Sequence, residues 1–252
     1  MNPRSRWSVL GYAGGDLYAL KVKATQAAHL IAYWPLSDGS GTTAVDESGN
    51  SRDATYKGVT LGEPGIGDGR TCPYFDGAND AMSMQIASLS SAFTWAQGSV
   101  SLWAKYLDTS VWSDGSTRWW FKAVAPQAKE FLYLRKSFQA NMVSMWMRVN
   151  SADFAYSGTI GGELGAEWFH VGVRWDCGQG KLWMYVKGAQ RRYWDTVGTP
   201  VDATGFRSGN DDAVVGAGFY VNPAEEHNGW LAHVALWDTC LSADELLALA
   251  EV

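Results

Sequence analysis

The chain is poor in the features that would tie it to a membrane, a nucleic acid or a structural metal. No apolar run approaches the roughly 20 residues that a membrane-spanning helix needs. Cations are scattered, and their densest cluster is the pair Arg191-Arg192, against a formal net charge of −6. That balance argues against phosphate-rich or anionic lipid partners, which call for clustered positive charge. Cysteine is scarce as well. Cys72, Cys177 and Cys240 lie far apart, so neither a CxxC knuckle nor a disulfide framework is indicated. One bridge stays geometrically open beside the simpler state of buried free thiols.

Catalytic patterns are missing in the same way. No strand carries the alternating carboxylates that would set an acid and a nucleophile on one face. The acidic pairs Asp211-Asp212 and Glu225-Glu226 sit beside Asn, Gly or Pro, and adjacent strand residues point oppositely, so they read as solvated loop charges. No G-x-S-x-G elbow occurs. His29, His227 and His233 show no zinc-ligand spacing. The expectation is a protein that is not an enzyme. The N-terminus has a basic start and a short apolar stretch that Gly14-Gly15-Asp16 interrupts. It reads as part of the mature protein rather than a signal peptide.

What the chain does have is tryptophan, 14 in 252 residues, much of it on alternating segments. In Ser99–Leu107, Val100, Leu102, Ala104 and Tyr106 alternate with Ser101, Trp103 and Lys105. In Met142–Val149, Val143, Met145, Met147 and Val149 alternate with Ser144, Trp146 and Arg148. In Gly180–Lys187, Leu182, Met184 and Val186 alternate with Lys181, Trp183, Tyr185 and Lys187. A period of two means half-buried strands. Further strands are expected at His29–Trp34, Ala54–Leu61, Thr71–Asp76, Ala81–Ile86, Arg118–Val124, Glu130–Arg135, Ala152–Ser157, Glu167–Trp175, Ala213–Val221 and Asn228–Trp237, separated by Gly, Asp, Asn and Ser turns. The reading is all-β: an antiparallel two-sheet sandwich, long for one domain but within the range such folds reach.

Two helices complete it. Ser242 with Glu245 forms a capping box before Leu246, Leu247 and Leu249. Asp16 caps a short helix whose Leu17, Leu20, Ala24 and Ala28 share a face, or else Met1–Ala28 is an extended arm ordered against a neighbour. The division is Met1–Ala28 as arm and assembly anchor, and 29–252 as sandwich; removing the arm is expected to leave the sandwich folded.

Trp103, Trp146 and Trp183, with Tyr185, His170 and Arg174, are the candidate contact residues. Indoles on a wet sheet face can stack on a sugar ring while Arg and His bond hydroxyls or a carboxylate. The same residues also suit packing beneath loops, or an assembly interface. The loop Asp46–Asp53 offers Asp46, Ser48 and Asn50 at alternate positions, oxygen groups of the type calcium accepts. It is not an EF-hand, because Ser51 replaces the glycine and Lys57 holds the twelfth position; the alternative is an Asx-turn that shapes the loop.

Several segments together resemble the laminin-G-like jelly rolls of the concanavalin-A-like lectin and glucanase superfamily. They are Ala32-Tyr33-Trp34-Pro35-Leu36 with the Asp46–Asn50 loop, Tyr74-Phe75-Asp76-Gly77-Ala78-Asn79-Asp80, Val100–Lys105, Trp168-Phe169-His170-Val171 with Lys181–Gly188, and Gly229–Trp237 with the Leu241–Leu249 helix. The resemblance runs in order from Ala32 to the C-terminus. It implies a convex and a concave sheet and a binding role, toward sugars, proteins or neighbours in an assembly. Calcium-binding relatives use an acidic residue in the closing strand, where this chain has Leu231-Ala232-His233. With LGEPGIGDGRT before the Phe-Asp-Gly turn, the chain resembles single-domain versions found in tailed-phage particles. That likeness implies a protein on the virion surface, reaching the outside by lysis. Residues Met1–Ala28 would anchor it to capsid or tail proteins or to a further copy, and it would adhere weakly to cell-surface polysaccharide. A freestanding carbohydrate-binding module, or an accessory domain of a glycan-processing enzyme, is the alternative.

Overall fold

A computed structural model describes residues 14–209, 211–221 and 225–252, with side chains from Leu17 onward. The helices are α1 (Gly14–Ala24), α2 (Ala87–Ala92), α3 (Gly161–Leu164) and α4 (Ala243–Ala248). The strands in chain order are β1 (Leu30–Trp34), β2 (Thr43–Ala44), β3 (Ala54–Lys57), β4 (Thr60–Pro64), β5 (Thr71–Asp76), β6 (Ala81–Ser83), β7 (Gln97–Tyr106) and β8 (Arg118–Val124). Then come β9 (Phe131–Lys136), β10 (Met142–Val149), β11 (Ala152–Thr159), β12 (Phe169–Asp176), β13 (Lys181–Val186), β14 (Ala189–Trp194), β15 (Ala213–Val215) and β16 (Asn228–Trp237).

They form two eight-stranded sheets whose pairings are all antiparallel. The first runs β14-β13-β12-β7-β16-β5-β4, with β1 paired to β16; the second runs β11-β10-β9-β8-β15-β6-β3-β2. The core lies between them. Val100, Leu102, Ala104 and Tyr106 of β7 and Leu182, Met184 and Val186 of β13 meet Val143, Met145, Met147 and Val149 of β10 in one buried cluster. The inward sets read from the period-two pattern are therefore the core. Trp34, Trp95, Trp120 and Trp175 also lie within it, fully buried. Each large aromatic removes about 150–250 Å² from water, so much of the tryptophan content is core rather than contact surface.

A second buried cluster lies on the outer face of the first sheet. There Tyr18, Ala19 and Val22 of α1 and Leu246 and Leu249 at the C-terminal helix pack on Tyr33, Trp103, Ala232 and Trp237. Helix α4 carries the expected capping box between Ser242 and Glu245. It can lie close to β12 because Gly172 has no side chain: a Cβ there would stand 2.9 Å from Leu246. The buried face of α1 differs from the expected stripe. Leu17 and Ala24 are exposed, as is Ala28 beyond the helix, while Tyr18, Ala19 and Val22 point inward. Tyr18 governs the rotation, since its hydroxyl accepts from Trp103 and donates to Leu249 O, both at 2.7 Å. The described part of the arm thus packs on its own chain; residues 1–13 lie outside the described residues.

Candidate functional site

The six tryptophan-centred candidates fall on two opposite sides of the sandwich. Trp103, His170, Arg174, Trp183 and Tyr185 share the outer face of the first sheet, with His170 opposite Trp103 and Arg174 opposite Trp183 in register. Trp146, on β10, points outward from the second sheet. The expectation that Trp103, Trp146 and Trp183 line one sheet face, with His170 and Arg174 beside them, is corrected here: a period of two separates inside from outside, but not one sheet from the other.

On the first sheet the candidates are committed to internal partners. Trp103 is 6 % exposed beneath α1. His170 is buried, its Nε2 lies 2.7 Å from Ser101 Oγ, and burial holds its pKa down to about 3, so the ring is neutral. Arg174 lies 3.8 Å over the Trp183 ring and donates to Leu241 O at 3.0 Å and to the Tyr185 hydroxyl at 3.2 Å. Tyr185 in turn donates to Gln190 Oε1 at 3.2 Å. Half-buried Trp183, 5.4 Å from Tyr193, is the part of this group nearest the sheet edge.

The second sheet presents a different face. Alternation along β9 sends Leu132 and Leu134 inward and leaves Phe131, Tyr133 and Arg135 outward. Across the strands they form rows: Trp119–Arg135–Ser144, Lys122–Tyr133–Trp146 and Val124–Phe131–Arg148–Asp153. Phe131 and Tyr133 stack with centroids 4.2 Å apart and planes 10° apart. Trp146 stands nearly perpendicular to both, at 81° and 85°, which makes an aromatic corner. Among the described residues its ring contacts are to the strand residues Phe131 and Tyr133.

Cations ring this corner. The guanidinium of Arg148 sits 4.7 Å from the Phe131 ring centre and pairs with Asp153 through two hydrogen bonds. Lys122 donates to Gly218 O at 2.7 Å and lies 4.6 Å from the Phe219 ring centre. Arg135 lies 4.9 Å from the Trp119 ring centre, and Trp119 donates its indole N–H to Glu225 at 2.7 Å. Burial pushes the Tyr133 phenol above its ordinary pKa, so it stays a neutral hydroxyl. Neither that hydroxyl nor the Ser144 hydroxyl bonds to another described residue. Of these residues, the sequence reading offers Trp146 alone as a contact candidate. The signal for Tyr133 and Arg135 lies in the outward positions of the Glu130–Arg135 strand, which carries no tryptophan.

At one end of the sandwich an open hollow of about 600 Å³ is lined by Gly77, Thr117, Arg118, Phe138, Glu225 and Glu226. Glu225 borders both this hollow and the aromatic face through its bond from Trp119.

The candidate calcium loop is occupied by its own donors. Asp46 Oδ1 accepts from Tyr33 N and Ser48 N, and Oδ2 from Ser48 Oγ and Arg52 N, all within 3.0 Å. Asn50 turns its amide nitrogen toward Leu30 O and Ser48 Oγ. N–H and O–H groups converge where a cation would need free oxygens, so Asp46, Ser48 and Asn50 do not fit calcium. The described residues contain no cluster of three or more His, Cys, Asp or Glu able to hold a metal. Cys72 and Cys177 are buried and unpaired, and burial pushes both thiols up to about 12.

No protein-family model and no curated protein matches the sequence. Solved structures do match the fold. The ligand-binding domain of botulinum neurotoxin serotype D, in complex with N-acetylneuraminic acid, aligns with a TM-score of 0.65 at 13% identity, over 91% of this chain and 52% of that one. Domain 4 of AbnA, a GH43 extracellular arabinanase from Geobacillus stearothermophilus, in complex with arabinotriose, aligns at 0.58 and 18% identity, over 88% and 98%. The chain therefore spans about half the length of the toxin domain and nearly all of the arabinanase domain. At these identities the likeness shows the fold alone: a sandwich of two antiparallel β-sheets.

Proposed function

We propose that this chain is a non-catalytic glycan-binding module, and that the outer face of its second sheet takes the sugar. The aromatic corner of Tyr133 and Trp146 carries the reading. It pairs ring surface, which suits the apolar face of a pyranose, with hydroxyls free to bond the sugar's edge. Two of the solved structures that share the fold hold a carbohydrate, which supports the same reading. The setting it favours is a freestanding or accessory module. Display on a phage particle through residues 1–28 has less behind it, because α1 is committed to its own sheet.

A glycan array followed by calorimetry on its hits tests the proposal. Trp146→Ala should lose at least tenfold in affinity for any hit while melting within a few degrees of the parent. Binding unchanged in that variant, or no hit from the folded protein, would remove the proposal. Turnover of a bound polysaccharide would remove the word non-catalytic.

A further inference from the structure

One cation of the aromatic face has no hydrogen-bond acceptor, although the Glu225 carboxylate attracts it without bonding it. Arg148 is paired with Asp153 and Arg207 with Asp212, each through two hydrogen bonds. Lys122 bonds a carbonyl and lies among rings. Arg135 differs: it has a ring beneath it and no hydrogen bond or ion pair among the described residues. Its Nε is shielded from solvent and lacks any acceptor. The two Nη groups of the same fork also lack an acceptor but are not shut off from solvent, so they are where a ligand's oxygens add charge-assisted bonds. The register sets Arg135 between Trp119 and Ser144, one row from the Tyr133–Trp146 corner. A strand rises about 3.3 Å per residue, so two residues along β9 span about the width of one sugar ring. The planar fork of a guanidinium matches two oxygens of one anionic group. In a chain of net charge −6, this face brings Lys122, Arg135 and Arg148 together on neighbouring strands.

We infer that the face selects acidic glycans, with a sugar ring against Tyr133 and Trp146 and an anionic substituent, carboxylate or sulfate, on Arg135 and the Ser144 hydroxyl. The inference rests on the glycan-binding reading and adds the class of sugar.

Two matched pairs of probes test it. Hexagalacturonate against its fully methyl-esterified form isolates the carboxylate, and 3′-sulfolactose against lactose isolates the sulfate. The expected result is at least tenfold preference for the charged member of one pair, which also tells carboxylate from sulfate. Arg135→Gln should erase that preference and leave the neutral member's affinity within about twofold, and Arg135→Lys should restore part of it. Trp146→Ala should weaken both members of the pair. Equal affinity within both pairs, or a preference that survives Arg135→Gln, overturns the inference while leaving glycan binding intact. Failure of the folded protein to bind any of the four, with no hit on the array, overturns both.

Discussion

The indole N–H of Trp103 donates to the Tyr18 hydroxyl across 2.7 Å, tying the middle of the first sheet to the helix that covers it. The same hydroxyl donates to Leu249 O, so one phenol joins the N-terminal helix, the sheet and the C-terminal helix. Tyr18→Phe keeps the ring and removes both bonds, leaving a buried donor and a buried acceptor without partners. The expected loss in urea unfolding is about 1–3 kcal/mol for each of the two groups. Deleting residues 1–28 should cost more, and should raise binding of a hydrophobic dye, since Trp103, Tyr33 and Leu246 lose their cover. A truncated chain as stable as the parent would show that α1 is an accessory, as the sequence alone suggests.

Acid should weaken the fold well above the range where carboxylates titrate. Burial holds His170 and His227 down to about 3, whereas an unfolded histidine titrates near about 6.5. Between those values the unfolded chain binds the extra protons, so stability present above about 6.5 is lost as pH falls, by about 1.4 kcal/mol per unit and per histidine. Asp80 works the other way. Burial raises it to about 6, so it binds its proton more tightly when folded and adds stability as pH drops below that value. Two histidines against one carboxyl leave a net loss on acidification. Urea midpoints at pH 7, 6 and 5 should fall in that order, and the slope should shrink in His170→Asn. A flat series would mean that the two rings are not held neutral.

Much of the fold was legible because inward positions repeat with a period of two. Strands β5, β8 and β16 have the bounds that the pattern gives, Thr71–Asp76, Arg118–Val124 and Asn228–Trp237. What a period cannot convey is partnership. The expected single strand Ala54–Leu61 is two, broken at Gly58 with φ +81, and its halves enter different sheets. Strand β14 was missed because Gln190, Arg191 and Arg192 are polar; it forms through a two-residue turn at Lys187 and Gly188, both with positive φ. The same blindness to partnership put Trp103 and Trp146 on one imagined face. Which outer face a helix will cover depends on contacts such as Tyr18 with Leu249, 231 residues apart.

Calcium should leave the protein unchanged, because the oxygens of Asp46 already accept four donors. Melting temperature in millimolar calcium and in chelator should agree. Asp46→Ala, by contrast, strands Tyr33 N, Ser48 N and Arg52 N together and should cost several kcal/mol at about 1–3 kcal/mol for each donor left buried. A melting shift with calcium that Asp46→Ala abolishes would show that the loop opens its donor shell to admit a metal.

Glu225 supplies a control on charge that leaves Arg135 in place. Its carboxylate accepts from the Trp119 indole and attracts the Arg135 guanidinium, so it opposes any anion arriving at the same fork. Glu225→Gln retains an oxygen for the indole and removes the charge. Affinity for an acidic glycan should rise a few-fold at low salt, with the neutral counterpart unmoved. The gain should shrink as ionic strength climbs toward about 1 M, where screening shortens the reach of a charge to about 3 Å. An equal rise for charged and neutral sugars would assign the effect to loop packing around Trp119 instead of electrostatics, and a fall for the charged one would mean that Glu225 positions Arg135 rather than competing for it.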